Sequence, residues 1–251
     1  MIFYFSATGN SRYVADRIAA ATGDKTISIP DCCKNDHFSF DETDKTVGIV
    51  CPTYSWGLPS IVQEFLEKLT LHSQPSYLWF AATCGTTPGQ TGRFAEDLLK
   101  RSGLTISAKF SVQMPDTWTP LFDLSRKEKV QRINAAAEPQ IDRIIQLIQS
   151  RTSGDFMQRK MPLWLAKSVY AIEYPSMRQT RHFHVEDSCI GCGLCARNCP
   201  VSAIQIQNKK PVWVKEQCVM CLSCLHHCPK FSIQYGSRTQ KHGQYSHFKL
   251  S

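Results

Sequence analysis

The sequence predicts an α/β protein: an open, doubly wound parallel sheet of five strands in the order 2-1-3-4-5, followed by a small α+β domain rich in cysteine. Three observations predict it. Short apolar runs alternate with stretches of helical periodicity through residues 1–150. The first of those runs opens directly into a turn of serine, threonine, glycine and asparagine. Residues 189–229 then hold eight cysteines at a repeated spacing.

Residues 1–5 (M-I-F-Y-F) read as a short, fully buried strand. After the turn S-A-T-G-N-S at 6–11, Val14, Ile18, Ala19 and Ala21 recur at helical spacing. Strand, small-residue turn and helix N-terminus together make an anion site. Free backbone N–H groups and the positive helix end point outward, and the hydroxyls of Ser6, Thr8 and Ser11 add donors. The turn has neither the G-K-[ST] of nucleoside-triphosphate loops nor the G-x-G-x-x-G of dinucleotide folds. Residues 25–29 are the second strand. The polar stretch from Asp31 to Asp44 shows little helical period, which predicts a short or irregular crossover. Cys32 and Cys33 fall there without a second pair and read as bystanders.

The third strand, 46–51, opens into P-T-Y-S-W-G-L-P at 52–59, and a helix follows with Ile61, Phe65 and Leu69 on one face. The carboxyl end of such a strand lies at the ligand crevice of an open α/β sheet. Pro52, Thr53, Tyr54, Trp56 and Gly57 are therefore candidates to border a planar ring, with Tyr54 or Trp56 stacking on it and Gly57 allowing close backbone approach. The fourth strand, 76–83, ends in C-G-T-T-P-G-Q, where Thr83, Cys84 and Gly85 are candidates for backbone contacts to the ring edge. A fifth strand at 104–114 leads to a long loop at 114–122 that could roof the site. A helix from about Arg126 to Gln149 completes the first domain, 1–150.

Residues 151–184 read as a linker. They contain the amphipathic stretch M-P-L-W-L-A-K-S-V-Y-A-I, flanked by Arg159, Lys160, Arg178 and Arg181. Such a segment docks one domain on another, or lies peripherally on a membrane surface. Residues 185–251 form the second domain, with a basic tail after Gly236 expected to be draped or partly disordered. Its two halves each read C-x2-C-x2-C-x3-C-P, which suits a cubane [4Fe–4S] cluster. Paired C-x2-C units also suit zinc, and a disulfide framework is a third option. The successive three-residue steps ending in C-P favour iron–sulfur. His182, His184, His226 and His227 read as exposed polar residues, since four thiolates already complete a cubane.

The eight-cysteine pattern resembles that of two-cluster ferredoxins, in which each fourth cysteine serves the other half's cluster. This implies one cluster on Cys189, Cys192, Cys195 and Cys228, and a second on Cys218, Cys221, Cys224 and Cys199. The turn S-A-T-G-N-S resembles the [ST]-x-T-G-N-[ST] phosphate loop of flavodoxins. That implies FMN, with Ser6, Ala7, Thr8, Gly9, Asn10 and Ser11 around its phosphate. The whole chain thus resembles the flavodoxin–ferredoxin fusions of anaerobic bacteria and archaea.

The resemblance implies a flavodoxin-like sheet, a bacterial ferredoxin domain and an electron-transfer protein working between two [4Fe–4S] clusters and FMN. A flavin-dependent reductase of a small-molecule substrate and an iron–sulfur sensor are the alternatives. Tyr54, Asp116 and Cys84 lie in loops that could supply an acid to such a substrate. The formal charge is +8. Each loaded cluster and the flavin phosphate carry about −2, which brings the holoprotein near about +2. That argues against nucleic acid and favours an acidic redox protein as donor or acceptor. The absence of any apolar run of membrane-spanning length and of a signal-like N-terminus predicts a cytoplasmic protein.

Overall fold

The computed structural model describes residues 1–41 and 46–247; the end of the polar stretch at 42–45 and the last four residues of the tail lie outside them. Strand β1 (Ile2–Tyr4) leads to α1 (Asn10–Thr22), β2 (Thr26–Ser28), α2 (Ile29–Lys34), β3 (Ser39–Phe40) and β4 (Thr46–Pro52). Then come α3 (Ser60–Lys68), β5 (Thr70–Leu71), β6 (Tyr77–Cys84), α4 (Thr91–Arg101), β7 (Ala108–Gln113), α5 (Lys127–Gln149) and β8 (Gly154–Asp155). The main sheet is parallel, in the order β2-β1-β4-β6-β7-β8.

Its first five strands follow the expected 2-1-3-4-5 order, and the sixth is a correction. β8 lies in a polar stretch with no apolar period to announce it. Charge holds it at the edge: Lys109 on β7 reaches Glu96 at 3.0 Å and Asp155 at 3.4 Å, and Lys160 reaches Asp155 at 2.8 Å. The crossover after β2 is a six-residue helix, with Asp31 N–H donating to Ser28 Oγ at 3.3 Å and Pro30 in its first turn.

All eight residues of β6 are buried, as a central strand covered on both faces requires. On one face Phe3, Phe65 and Phe80 pack with α3 and α4; on the other Trp79, Ile141 and Ile144 pack with α1 and α5. Arg17 of α1 ties the second pair together through Glu138 and, at 2.7 Å, Asp142. Gly48 on β4 faces Trp79 across the sheet, and a Cβ there would enter the indole ring.

The second half contains α6 (Leu163–Met177), β9 (Phe183–Val185), α7 (Leu194–Arg197), β10 (Ile204–Gln207) and β11 (Lys210–Trp213). It ends with α8 (Ser223–His226), β12 (Ile233–Tyr235) and α9 (Thr239–His242). β9 pairs antiparallel with β12, and β10 with β11, so each cysteine motif lies between a strand of one small sheet and a strand of the other. Helix α6 joins the halves. Its Tyr174 hydroxyl accepts from Ser60 N–H at 2.9 Å and donates to Val219 O at 3.1 Å, one group bonded to both domains. Among the described residues no helix is long and apolar enough to cross a membrane.

Through His247 the tail is draped across both domains, the first of the two expected alternatives. Gln244 donates to Leu225 O and Cys228 O at 2.7 and 2.8 Å, and His247 N–H donates to Thr8 O at 2.9 Å. The last described residue therefore lies on the first turn of the chain.

Gly48→Ala is expected to cost about 1–3 kcal/mol through overpacking against Trp79. Urea unfolding measures this, and an unchanged midpoint would mean that the indole moves aside freely.

Candidate functional site

A cleft of about 270 Å³ opens at the carboxyl ends of β1, β4 and β6, between the sheet and the cysteine domain. The first turn reaches it through Ser6, Ala7, Thr8, Asn10 and Ser11. Gly9, at φ 98°, starts α1 and has no side chain to cap it, so the first-turn N–H groups keep their anion-binding capacity. Neighbours hold the turn in place. Ser6 Oγ accepts from Gly9 N–H at 3.2 Å, Ser11 Oγ bonds Thr83 Oγ1 at 2.8 Å, and Asn10 Nδ2 donates to Pro115 O at 3.1 Å. Tyr245 of the tail donates to Asn10 Oδ1 at 2.6 Å. These hydroxyls and free amides suit a phosphate, with no cationic side chain in the turn.

Pro52, Thr53, Tyr54 and Trp56 border the cleft from the loop after β4, and Thr83, Cys84 and Gly85 from the end of β6. Tyr54 and Gly57 exchange backbone hydrogen bonds of 3.0 and 2.8 Å, closing a tight turn over Ser55 and Trp56 at φ 44° and 64°. Left-handed backbone at two non-glycine residues costs about 1–2 kcal/mol each. Gln90 N–H to Trp56 O at 2.8 Å helps to hold it. Gly57 lies outside the cleft wall: its bare Cα faces Tyr170 and Phe94, so the close approach it permits is to α6. The loop at 114–122 contributes Asp116, Trp118, Leu121 and Phe122, and α6 contributes Glu173, Tyr174 and Met177. The sequence analysis did not single out the α6 residues, and the helix is apolar on both faces, which corrects the amphipathic reading of that stretch.

The eight motif cysteines fall into two sets, each around its own cavity. Cys189, Cys192, Cys195 and Cys228 line one, and Cys199, Cys218, Cys221 and Cys224 the other. All are free of disulfides. Among the described residues no three or more His, Cys, Asp or Glu side chains are placed to hold a single metal ion. Backbone N–H groups point at sulfur from Ala203 to Cys199 and from Met220 to Cys218, both at 3.2 Å, and from Ser232 to Cys228 at 3.3 Å. Such bonds stabilise thiolate ligands. Burial pushes the Cys218 thiol up to about 11 and the Cys221 thiol to about 12, the direction that a bound cationic centre would oppose.

The two motifs share one backbone trace. Gly191 and Gly193 have φ 68° and 75°; their counterparts Met220 and Leu222 have φ 58° and 55°. The non-glycine pair accepts left-handed strain, and both side chains are buried where they border the cleft. Cys221 and Leu222 line the inner cysteine cavity and the cleft alike.

Among the histidines, His182 and His184 are exposed as expected, but His226 is buried, a correction. Its Nδ1 accepts from Tyr245 N–H at 3.2 Å and its Nε2 donates to Thr117 O at 2.9 Å, while burial lowers its pKa to about 4. A neutral imidazole thus links the tail, the cysteine domain and the loop over the cleft. Burial raises the Cys84 thiol to about 12, which makes it a poor nucleophile. Cys32 is buried and Cys33 half-buried beside α3, away from both cysteine sets.

Sheet, turn and cysteine sets define an electron-transfer protein of the flavo-iron–sulfur class. The family model described as a flavodoxin domain matches residues 1–143, more than half of the chain, so the chain belongs to that family. A model described as a 4Fe-4S dicluster domain matches residues 182–229, which makes the chain a flavodoxin–ferredoxin fusion. Among solved structures, the two-electron reduced flavodoxin of Megasphaera elsdenii is 21% identical over 46% of this chain and 87% of its own, with a TM-score of 0.36. The Streptococcus pneumonia TIGR4 flavodoxin is 16% identical over 57% and 97%, with a TM-score of 0.34. An azoreductase of Bacillus anthracis str. Sterne is 8% identical over 57% and 97%, with a TM-score of 0.36. No curated protein matches the chain.

Asp116 yields a pH-dependent test. Burial raises its carboxyl above the usual range, although Trp118 N–H, donating to Oδ1 at 3.0 Å, pulls the other way. A raised acid is fully compatible with the fold below its ordinary value of about 4 and costs stability as pH rises through its folded value. Asp116→Asn is therefore expected to raise the thermal midpoint at neutral pH, with the gain vanishing below about pH 4. A gain that persists at low pH would assign the effect to something other than the buried charge.

Proposed function

We propose that the chain passes electrons between two [4Fe–4S] clusters and an FMN seated in the cleft. The observation that carries this reading is the shared wall: Cys221 and Leu222 belong to both the inner cysteine cavity and the cleft. The clusters supply one-electron carriers and the flavin a two-electron store. What the chain does is hold and shield them. The inner cluster would be held by Cys199, Cys218, Cys221 and Cys224, and the outer by Cys189, Cys192, Cys195 and Cys228.

The first turn would receive the phosphate on the amides of α1 and the hydroxyls of Ser6 and Thr8, while Tyr54, Trp56 and Trp118 offer aromatic walls. Met220, Leu222 and Tyr174 exclude water from the partition between cleft and cluster. Covalent fusion holds donor beside acceptor at high effective concentration. Cys192 is exposed while Cys221 is inner, so the outer set would meet the external redox protein, and the basic surface favours an acidic one. A second reading, reduction of a small molecule at the flavin, draws on Asp116 in the cleft wall as a proton source.

Anaerobically purified protein is expected to carry about eight iron, about eight sulfide and about one FMN per chain. Cys221→Ser should remove the inner cluster's signal in electron paramagnetic resonance and halt flavin reduction by a cluster-reducing donor. Flavin reduction at the wild-type rate in that variant would refute the shared-wall route.

Tyr245→Phe keeps the ring but removes the hydroxyl that donates to Asn10 Oδ1 and, at 3.2 Å, to Asn134 Oδ1. It should weaken FMN binding about three- to tenfold, read by quenching of flavin fluorescence. Unchanged affinity would relieve the tail of any part in the phosphate site.

A further inference from the structure

Helix α6 has a face that no contact within the described fold explains. Its inner side carries Ala166, Tyr170, Tyr174 and Met177. Tyr170 donates to Leu58 O, Tyr174 bonds both domains, and Ser55 Oγ meets Met177 Sδ at 3.1 Å. At about 100° per residue, the opposite side presents Trp164, Leu165, Ser168, Ala171, Ile172 and Pro175, without a single charge. Trp164 is 71% exposed and Ile172 76% exposed. Solvent-facing helix surfaces are normally charged, so this strip is built to be covered.

The charges flanking the strip in sequence are mostly of one sign. From 158 to 181 the chain carries Arg159, Lys160, Lys167, Arg178 and Arg181 against one acid, Glu173. Lys160 reaches Asp155 and Arg178 reaches Cys218 O at 2.7 Å, but Arg159, Lys167 and Arg181 are exposed. An uncharged apolar strip with a tryptophan and flanking cations has the composition of a helix lying in the plane of an anionic lipid interface. Self-association through the same strip would set these cations against their own copies, which repel. A neutral apolar protein partner would leave the cations without a role.

We propose that the outer face of α6 docks on an anionic lipid surface, with Trp164 and Ile172 in the headgroup layer and Arg159 and Lys167 against lipid phosphates. The two uses of the helix are compatible, because docking of the domains occupies the inner face alone. This surface is independent of the cofactors and of the electron-transfer reading.

The test is sedimentation of the full-length holoprotein with vesicles of phosphatidylglycerol and phosphatidylcholine, and with phosphatidylcholine alone, at low and high salt. Wild type should sediment with the anionic vesicles and be released by salt. The double variant Trp164→Ser, Ile172→Ser should bind at least about tenfold more weakly while keeping its cluster absorbance, since both side chains are exposed. Equal binding by wild type and variant overturns the proposal, as does the absence of binding to anionic vesicles. A wild-type dimer in analytical ultracentrifugation that the double variant dissolves also overturns it, and assigns the strip to a second copy.

Discussion

The molecule depends on how one loop, Val219 to Leu222, is held against the strand ends of the flavodoxin domain. Val219 O receives the Tyr174 hydroxyl, its side chain packs into the core of the first domain, Arg178 Nε holds Cys218 O at 2.7 Å, and Met220 and Leu222 border the cleft. Without these contacts two well-formed domains would share a chain and nothing more. With them, a cysteine of the inner set becomes part of the cleft wall. Electron transfer is acutely sensitive to separation, so this packing matters more than the internal stability of either half.

The two cysteine motifs show how a repeat can be specialised by side chains alone. Both need left-handed backbone at two positions between cysteines, and the outer motif supplies glycine, which adopts it readily. The inner motif uses Met220 and Leu222 and accepts the strain. The compensation is burial in the core of the cysteine domain, beside the cleft, worth about 1.5–3 kcal/mol for a fully buried side chain of this size. The outer motif faces solvent at Cys192 and has no such surface to fill.

The tail makes a second, independent connection. It leaves the cluster domain bonded to Leu225 O and Cys228 O, passes His226, and brings the ring of its last described residue, His247, onto Tyr13 at 4.1 Å beside the first turn. The connecting helix and the tail thus join the halves at opposite ends of the cleft: Tyr174 on the Cys221 side, Tyr245 on the Asn10 side. Two fastenings resist rotation between domains better than one.

What could be read from residues alone was what local chemistry dictates. A buried strand running into S-A-T-G-N-S, five apolar runs alternating with helical periods, and two C-x2-C-x2-C-x3-C-P motifs each carry their meaning in consecutive residues. They specified the sheet order of five strands, while the grouping of the cysteines came from the resemblance those motifs carry. Tertiary structure decided the rest, because those features rest on contacts between residues far apart in sequence. β8 is held by an ion-pair network around Lys109, with no hydrophobic period to signal it. Gly57 proved to accommodate Tyr170 in place of a ring in the cleft, His226 became a buried neutral link, and the tail became a strap. Each is a partner-dependent property, and no window of sequence contains the partner.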